Sequence, residues 1–157
     1  MTLGSFFSWL EATDVARAIA ESLFATASLS ALHVIGFTLI TGSALVANLR
    51  LLGVFLNQRP IFEVTGPARR AIAVGLAVSV ATGLLLFAAR AASISVNGTF
   101  QVKMLLLVAA AVFHFTVHRN VTQGASGTAP LLRATGAVGL ALWLGVAAAG
   151  CVFILLE

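Results

Sequence analysis

Three histidines stand in the 157-residue chain, His33, His114 and His118, and each lies in a long apolar run. A neutral imidazole offers one nitrogen that donates and one that accepts, ligates iron, copper, zinc or nickel, and exchanges a proton near neutral pH. Such a group is costly in hydrocarbon unless it has a partner, so each of the three is a candidate functional residue. His114 and His118 lie four residues apart in Phe113-His114-Phe115-Thr116-Val117-His118-Arg119 and share one helix face. No intramembrane carboxylate joins them, Cys151 is the only cysteine, and methionine is limited to Met1 and Met104. The chain therefore has no disulfide of its own, no CxxC metal site and no methionine pathway for copper. No nucleophile and base are spaced for catalysis, which favours a binding or electron-carrying subunit over an enzyme.

Composition says what must position these side chains. With 60% hydrophobic and 9% charged residues, the chain departs from soluble domains, in which about 25% of residues are charged. Apolar runs cover Ser22 to Leu49, Ala71 to Ala89, Met104 to His118 and Ala134 to Leu156. A bilayer core of ~30 Å needs ~20 helical residues, and Lys103 can snorkel so that the third helix begins near Phe100. The expected fold is an all-α membrane protein, a single domain of four spans at about 23–49, 67–90, 100–119 and 130–156 in an up-down bundle. The net charge of +4 reads as orientation, with no role in binding nucleic acid. Arg50, Arg59, Arg69 and Arg70 follow the first span and Arg119 and Arg133 flank the third loop, against Arg17, Arg90 and Lys103 opposite. That asymmetry predicts a periplasmic location for both termini. The first ten residues show no signal-peptide pattern.

Local signals refine the elements. Ser8-Trp9-Leu10-Glu11 has the form of a capping box and predicts an amphipathic interfacial helix over 8–21, with Asp14, Arg17 and Glu21 opposite Trp9, Ala12, Ala16 and Ile19. Thr65-Gly66-Pro67 predicts the start of the second span, on which Ala71, Gly75, Ser79 and Gly83 form a stripe of small residues. Ser93 to Thr99 reads as a polar turn, and Gln123 to Thr128 as a flexible loop before Pro130. On the third span Lys103, Leu107, Ala110, His114 and His118 share a face.

Depth then suggests a pairing. His33 lies twelve residues past Glu21 and His114 eleven past Lys103, so the two are expected to face each other across the bundle, with His118 about 6 Å deeper. Two axial imidazoles at one depth suit a single b-type haem, which they saturate for electron transfer. Gly36 would leave room for the ring, Phe37, Phe113 and Trp143 would pack it, and Lys103 with Arg90, or Arg50, Arg70 and Arg119, would meet its propionates. Rival readings are a transition-metal site on the three histidines, a proton relay, and structural hydrogen bonding.

The segments Ala31-Leu32-His33-Val34-Ile35-Gly36-Phe37, Asn48-Leu49-Arg50-Leu51-Leu52-Gly53 and Asn97-Gly98-Thr99-Phe100-Gln101-Val102-Lys103 resemble an uncharacterised family of bacterial four-helix inner-membrane proteins. More distantly, His33 and the His114/His118 pair are similar to b-type membrane cytochromes and copper-resistance D proteins. That resemblance implies haem-mediated electron transfer in the inner membrane; a single-haem subunit of this kind would pass electrons between a quinone and a membrane or periplasmic redox partner. Three histidines allow one bis-histidine haem, where such cytochromes commonly carry two. A haem-free accessory subunit of a larger complex, homo- or hetero-oligomeric, and a small histidine-lined transporter are the alternatives.

Overall fold

The computed structural model describes residues 3–123 and 128–156, and the middle of the expected flexible loop, residues 124–127, lies outside them. The chain begins with α1 (Leu3–Glu11) and α2 (Asp14–Glu21), so the single interfacial helix expected over 8–21 is two helices with a break between them. The capping-box residues are engaged otherwise. Ser8 Oγ donates back to the Gly4 carbonyl at 3.1 Å, and the Glu11 carboxylate accepts from the Ala92 backbone N–H at 3.0 Å. Thr13 is the true cap of α2, accepting from the Ala16 N–H while Ala16 and Ile19 turn inward and are buried.

Four long helices follow, each apolar enough to cross a membrane. α3 (Leu23–Leu52) starts at Ser22, whose hydroxyl accepts from the Ala25 N–H, and stops at Gly53, whose φ of 77° closes the C-terminus. α4 (Ile61–Ala88) begins six residues ahead of Pro67, so the proline lies inside the helix. The carbonyl it leaves without a donor belongs to Glu63, an exposed residue that water can reach. The expected polar turn contains a short helix, α5 (Ala91–Ser95), with Ala91 and Ile94 buried. α6 (Gly98–Phe113) is capped by Asn97 Oδ1, which accepts from Thr99 and Phe100 N–H at 2.9 and 3.1 Å. It continues through one π turn, His114–His118, into α7 (Arg119–Gln123), and α8 (Ala129–Leu156) completes the bundle.

α3 packs against α4 on one side and α8 on the other, and α8 packs against α6, so α3 and α6 are diagonal as an up-down bundle requires. The Cα atoms of α4 and α6 all stay more than 8 Å apart, which leaves an apolar seam lined by Ala73, Ala77, Val80, Leu84 and Phe115. The core is a layer of Ile40, Ala44, Ile72, Ala110, Trp143 and Val146. Lipid supplies no hydrophobic drive between helices, so close van der Waals approach must hold them. It does so most tightly where Gly36 meets Gly75: a Cβ on Gly75 would lie 2.6 Å from the Gly36 carbonyl oxygen, and one on Gly36 would lie 2.7 Å from Ser79 Oγ.

At the end carrying the termini, rings link the helices across the bundle. Phe7 meets Phe87 edge-on at 5.8 Å, Phe87 stacks on Phe100 at 5.3 Å, and Phe100 contacts Phe153 at 5.9 Å. Lys103 Nζ lies 5.7 Å from the centre of the Phe153 ring, a cation–π contact within the bundle.

Gly75→Val should lower the thermal midpoint in detergent by forcing α3 from α4, an overpacking cost of about 1–3 kcal/mol. Gly42→Ala, where an added Cβ meets nothing within 4 Å, should leave the midpoint unchanged or raise it. Equal loss in both variants would refute the close-approach account.

Candidate functional site

The three histidines occupy two separate places. His33, half-buried on α3, has Nδ1 3.1 Å from Thr82 Oγ1 on α4. Thr82 has one hydroxyl hydrogen, and its 2.7 Å bond to the Val78 carbonyl uses it. With the hydrogen kept on that shortest bond the hydroxyl accepts from His33, the tautomer that carries the ring hydrogen on Nδ1 and leaves Nε2 as a free lone pair. This is the arrangement in which a histidine ligates a metal, the other nitrogen being held by an outer partner. Gly83 provides the clearance, since a Cβ there would lie 3.0 Å from His33 Cε1. Ser79 Oγ donates to the His33 carbonyl at 3.4 Å, and Lys103 lies within electrostatic reach of the ring.

His114 and His118 form the second place, toward the arginine-rich end. Both are buried, at 1% and 2% exposure. The π turn brings their rings to 4.6 Å between centroids at an interplanar angle of 31°. The turn is marked by the Arg119 N–H bonding to the His114 carbonyl five residues back, the i→i+5 pattern that recurs at functional sites. Trp143 meets His114 edge-on at 6.3 Å and Phe115 does so at 5.3 Å. Among the described residues, Nε2 of each histidine has no hydrogen-bond partner, and neither has Oδ1 of Asn48, which is fully buried. Asn48 Nδ2 donates to the Ala44 carbonyl at 2.7 Å, and its Oδ1 is pressed against Gly139. A buried polar atom without a partner costs roughly 1–3 kcal/mol, so three of them are a considerable expense.

The helix register separates these places in depth. Gly139 of α8 meets Asn48 of α3 and Gly136 meets Asn48 and Leu51, so the antiparallel helices step together and Trp143 comes level with Ala44. Trp143 packs on His114, which is therefore at the level of Ala44 or deeper. Ala44 lies eleven residues past His33, about 16 Å along the axis. The facing pair expected from the count of residues is not brought together: Glu21 belongs to α2, and Lys103 is itself near His33, so the two charges do not mark one depth.

Other expected cofactor-binding residues divide likewise. Lys103 lies within electrostatic reach of His33, and its side chain lies against Phe153 and Gly150 of α8. Gly36 does not line a space for a ring, because its face is used up against Gly75. Arg90 is exposed and precedes α5. Thr82 and Asn48 were not singled out from sequence, although each is a polar side chain within an apolar run, the signal that could have marked them. Among the described residues, no three His, Cys, Asp or Glu side chains gather into a metal-holding group.

Thr82→Val should release the His33 tautomer. In the wild type, ¹⁵N NMR of the imidazole should show a protonated Nδ1 and a bare Nε2; in the variant the two nitrogens should share the proton. An unchanged ring signal would contradict the assigned bond.

The chain belongs to the family of unknown function DUF6644, whose model matches residues 6–155. No curated protein and no solved structure matches it.

Proposed function

We propose that this DUF6644 member is a b-type haem-binding subunit for electron transfer in the bacterial inner membrane, both termini facing the periplasm. The observation that carries the reading is the His33–Thr82 bond, which leaves Nε2 of a membrane-embedded imidazole free to ligate. Lys103, close to His33, is the cation suited to a propionate, and the gap between α4 and α6 gives lateral access from lipid. When bound, the haem supplies a one-electron carrier in a low-dielectric site.

The chain's own residues divide the remaining work. Thr82 holds the ring orientation and its tautomer, Gly83 keeps the ring's edge clear, and the Gly36–Gly75 contact fixes the depth at which His33 is presented. His114 is not at that depth, so His33 replaces the His33/His114 pair as the ligand this chain provides. A haem held by His33 would need a further ligand from a partner subunit or a small molecule, and a quinone is a suitable electron donor.

A haem-free accessory subunit is the second reading, favoured by the exposed Ala73, Ala77 and Ala81 along the α4/α6 seam, where another helix could lie. A histidine-lined transporter has less support, because the layer of Ile40, Ile72 and Ala110 stands between the two polar regions.

A dithionite-reduced minus oxidised spectrum of protein purified from haem-replete cells separates the first two. The wild type should show a b-type α-band, His33→Ala should lose it, and Thr82→Val should weaken haem affinity by about ten- to a hundredfold. His114→Ala should retain the band. No band in the wild type favours the accessory subunit, and a band lost equally on His33→Ala and His114→Ala restores the bis-histidine pairing.

A further inference from the structure

Haem at His33 would leave the other two histidines unused, and their surroundings have the character of a site. Each ring is more than nine-tenths buried with Nε2 unpartnered, and both come from a single π turn that stacks one ring near the other. Asn48 of α3, fully buried, likewise carries an amide oxygen that has no donor among the described residues. Gly139 accommodates that amide, since a Cβ there would collide with it. A core that needed only packing would fill these positions with leucine or valine and avoid the unsatisfied atoms. Two imidazole nitrogens four residues apart form a donor pair for a first-row transition metal, for which imidazole is a favoured ligand.

We propose that His114 and His118 chelate a transition-metal ion through Nε2. The site is independent of the haem at His33 and lies nearer the arginine-rich end. The Arg69 guanidinium is within electrostatic reach of both rings. Its positive charge opposes an incoming cation and so weakens affinity. Removing that charge should therefore strengthen binding, a response that packing histidines would not give.

Co²⁺ is the probe, because its visible bands report nitrogen and oxygen coordination directly. Detergent-purified full chain, stripped with a chelator and titrated with Co²⁺, should bind one equivalent. His114→Gln and His118→Gln should each weaken binding by roughly tenfold or more. Arg69→Gln, which alters no buried group, should tighten it several-fold, and His33→Gln should leave it unchanged. Absence of Co²⁺ bands in the wild type, or an Arg69→Gln affinity equal to or below that of the wild type, would overturn the proposal. Loss on His33→Gln would also overturn it, by moving the metal to the other histidine. Haem content measured on the same preparations tests the His33 reading separately, so either can fail alone.

Discussion

The approach of α3 to α4 at Gly36 and Gly75 determines more of this molecule than any other contact. Neither glycine leaves room for even a methyl group, since an added Cβ would lie 2.6 Å from a carbonyl oxygen at Gly75 and 2.7 Å from a hydroxyl at Gly36. Everything on α3 is then referred to α4 at a fixed depth. His33 is delivered to Thr82 and Gly83, Ile40 to the face of Gly75, and Asn48 toward the arginine-rich end, where Gly139 of α8 receives it. Hydrocarbon offers polar side chains no alternative partner, so the register decides which of them are satisfied. His33 is satisfied at one nitrogen. Asn48, His114 and His118 each retain an atom that is not.

The two histidine places differ in how they are built. At His33, a threonine on the neighbouring helix holds Nδ1 at 3.1 Å, so a hydroxyl on one helix orients the imidazole of another and leaves Nε2 turned away from it. At His114 and His118 the backbone does the work. One π turn replaces α geometry where the histidines occur and carries both rings into the core, and regular α geometry resumes at Arg119. The apolar layer around Ile40 and Ile72 keeps the two places apart.

Much of the fold was legible in the sequence because it depends on quantities the sequence states outright. Apolar run length predicts four spans, and Leu23 and Ala129 begin helices within a residue of the expected starts. Gly53 after Leu52 ends α3 as a left-handed cap. Less legible was whatever depends on competition between partners. Ser8 and Glu11 fit a capping pattern, yet Gly4 and Ala92 claim them instead. Pro67 reads as a first-turn residue until Glu63 is seen to be exposed and able to do without the lost bond. The π turn has no signature in residue type, and a depth count from Glu21 and Lys103 assumes that charges sit at the membrane surface. Lys103 instead turns along the bundle to Phe153 near the end of α8, so the count fails where a cation finds an aromatic ring. The candidate residues were thus identifiable by type, whereas their grouping was not.

The central claim is that His33 is apart from His114 while His114 and His118 are neighbours. Solid-state NMR of the lipid-reconstituted, metal-free chain with ¹³C,¹⁵N-labelled histidine tests it by magnetisation transfer between rings. The account predicts a cross-peak between His114 and His118 and none between His33 and His114. A direct His33–His114 cross-peak would place the two rings at one depth and contradict it.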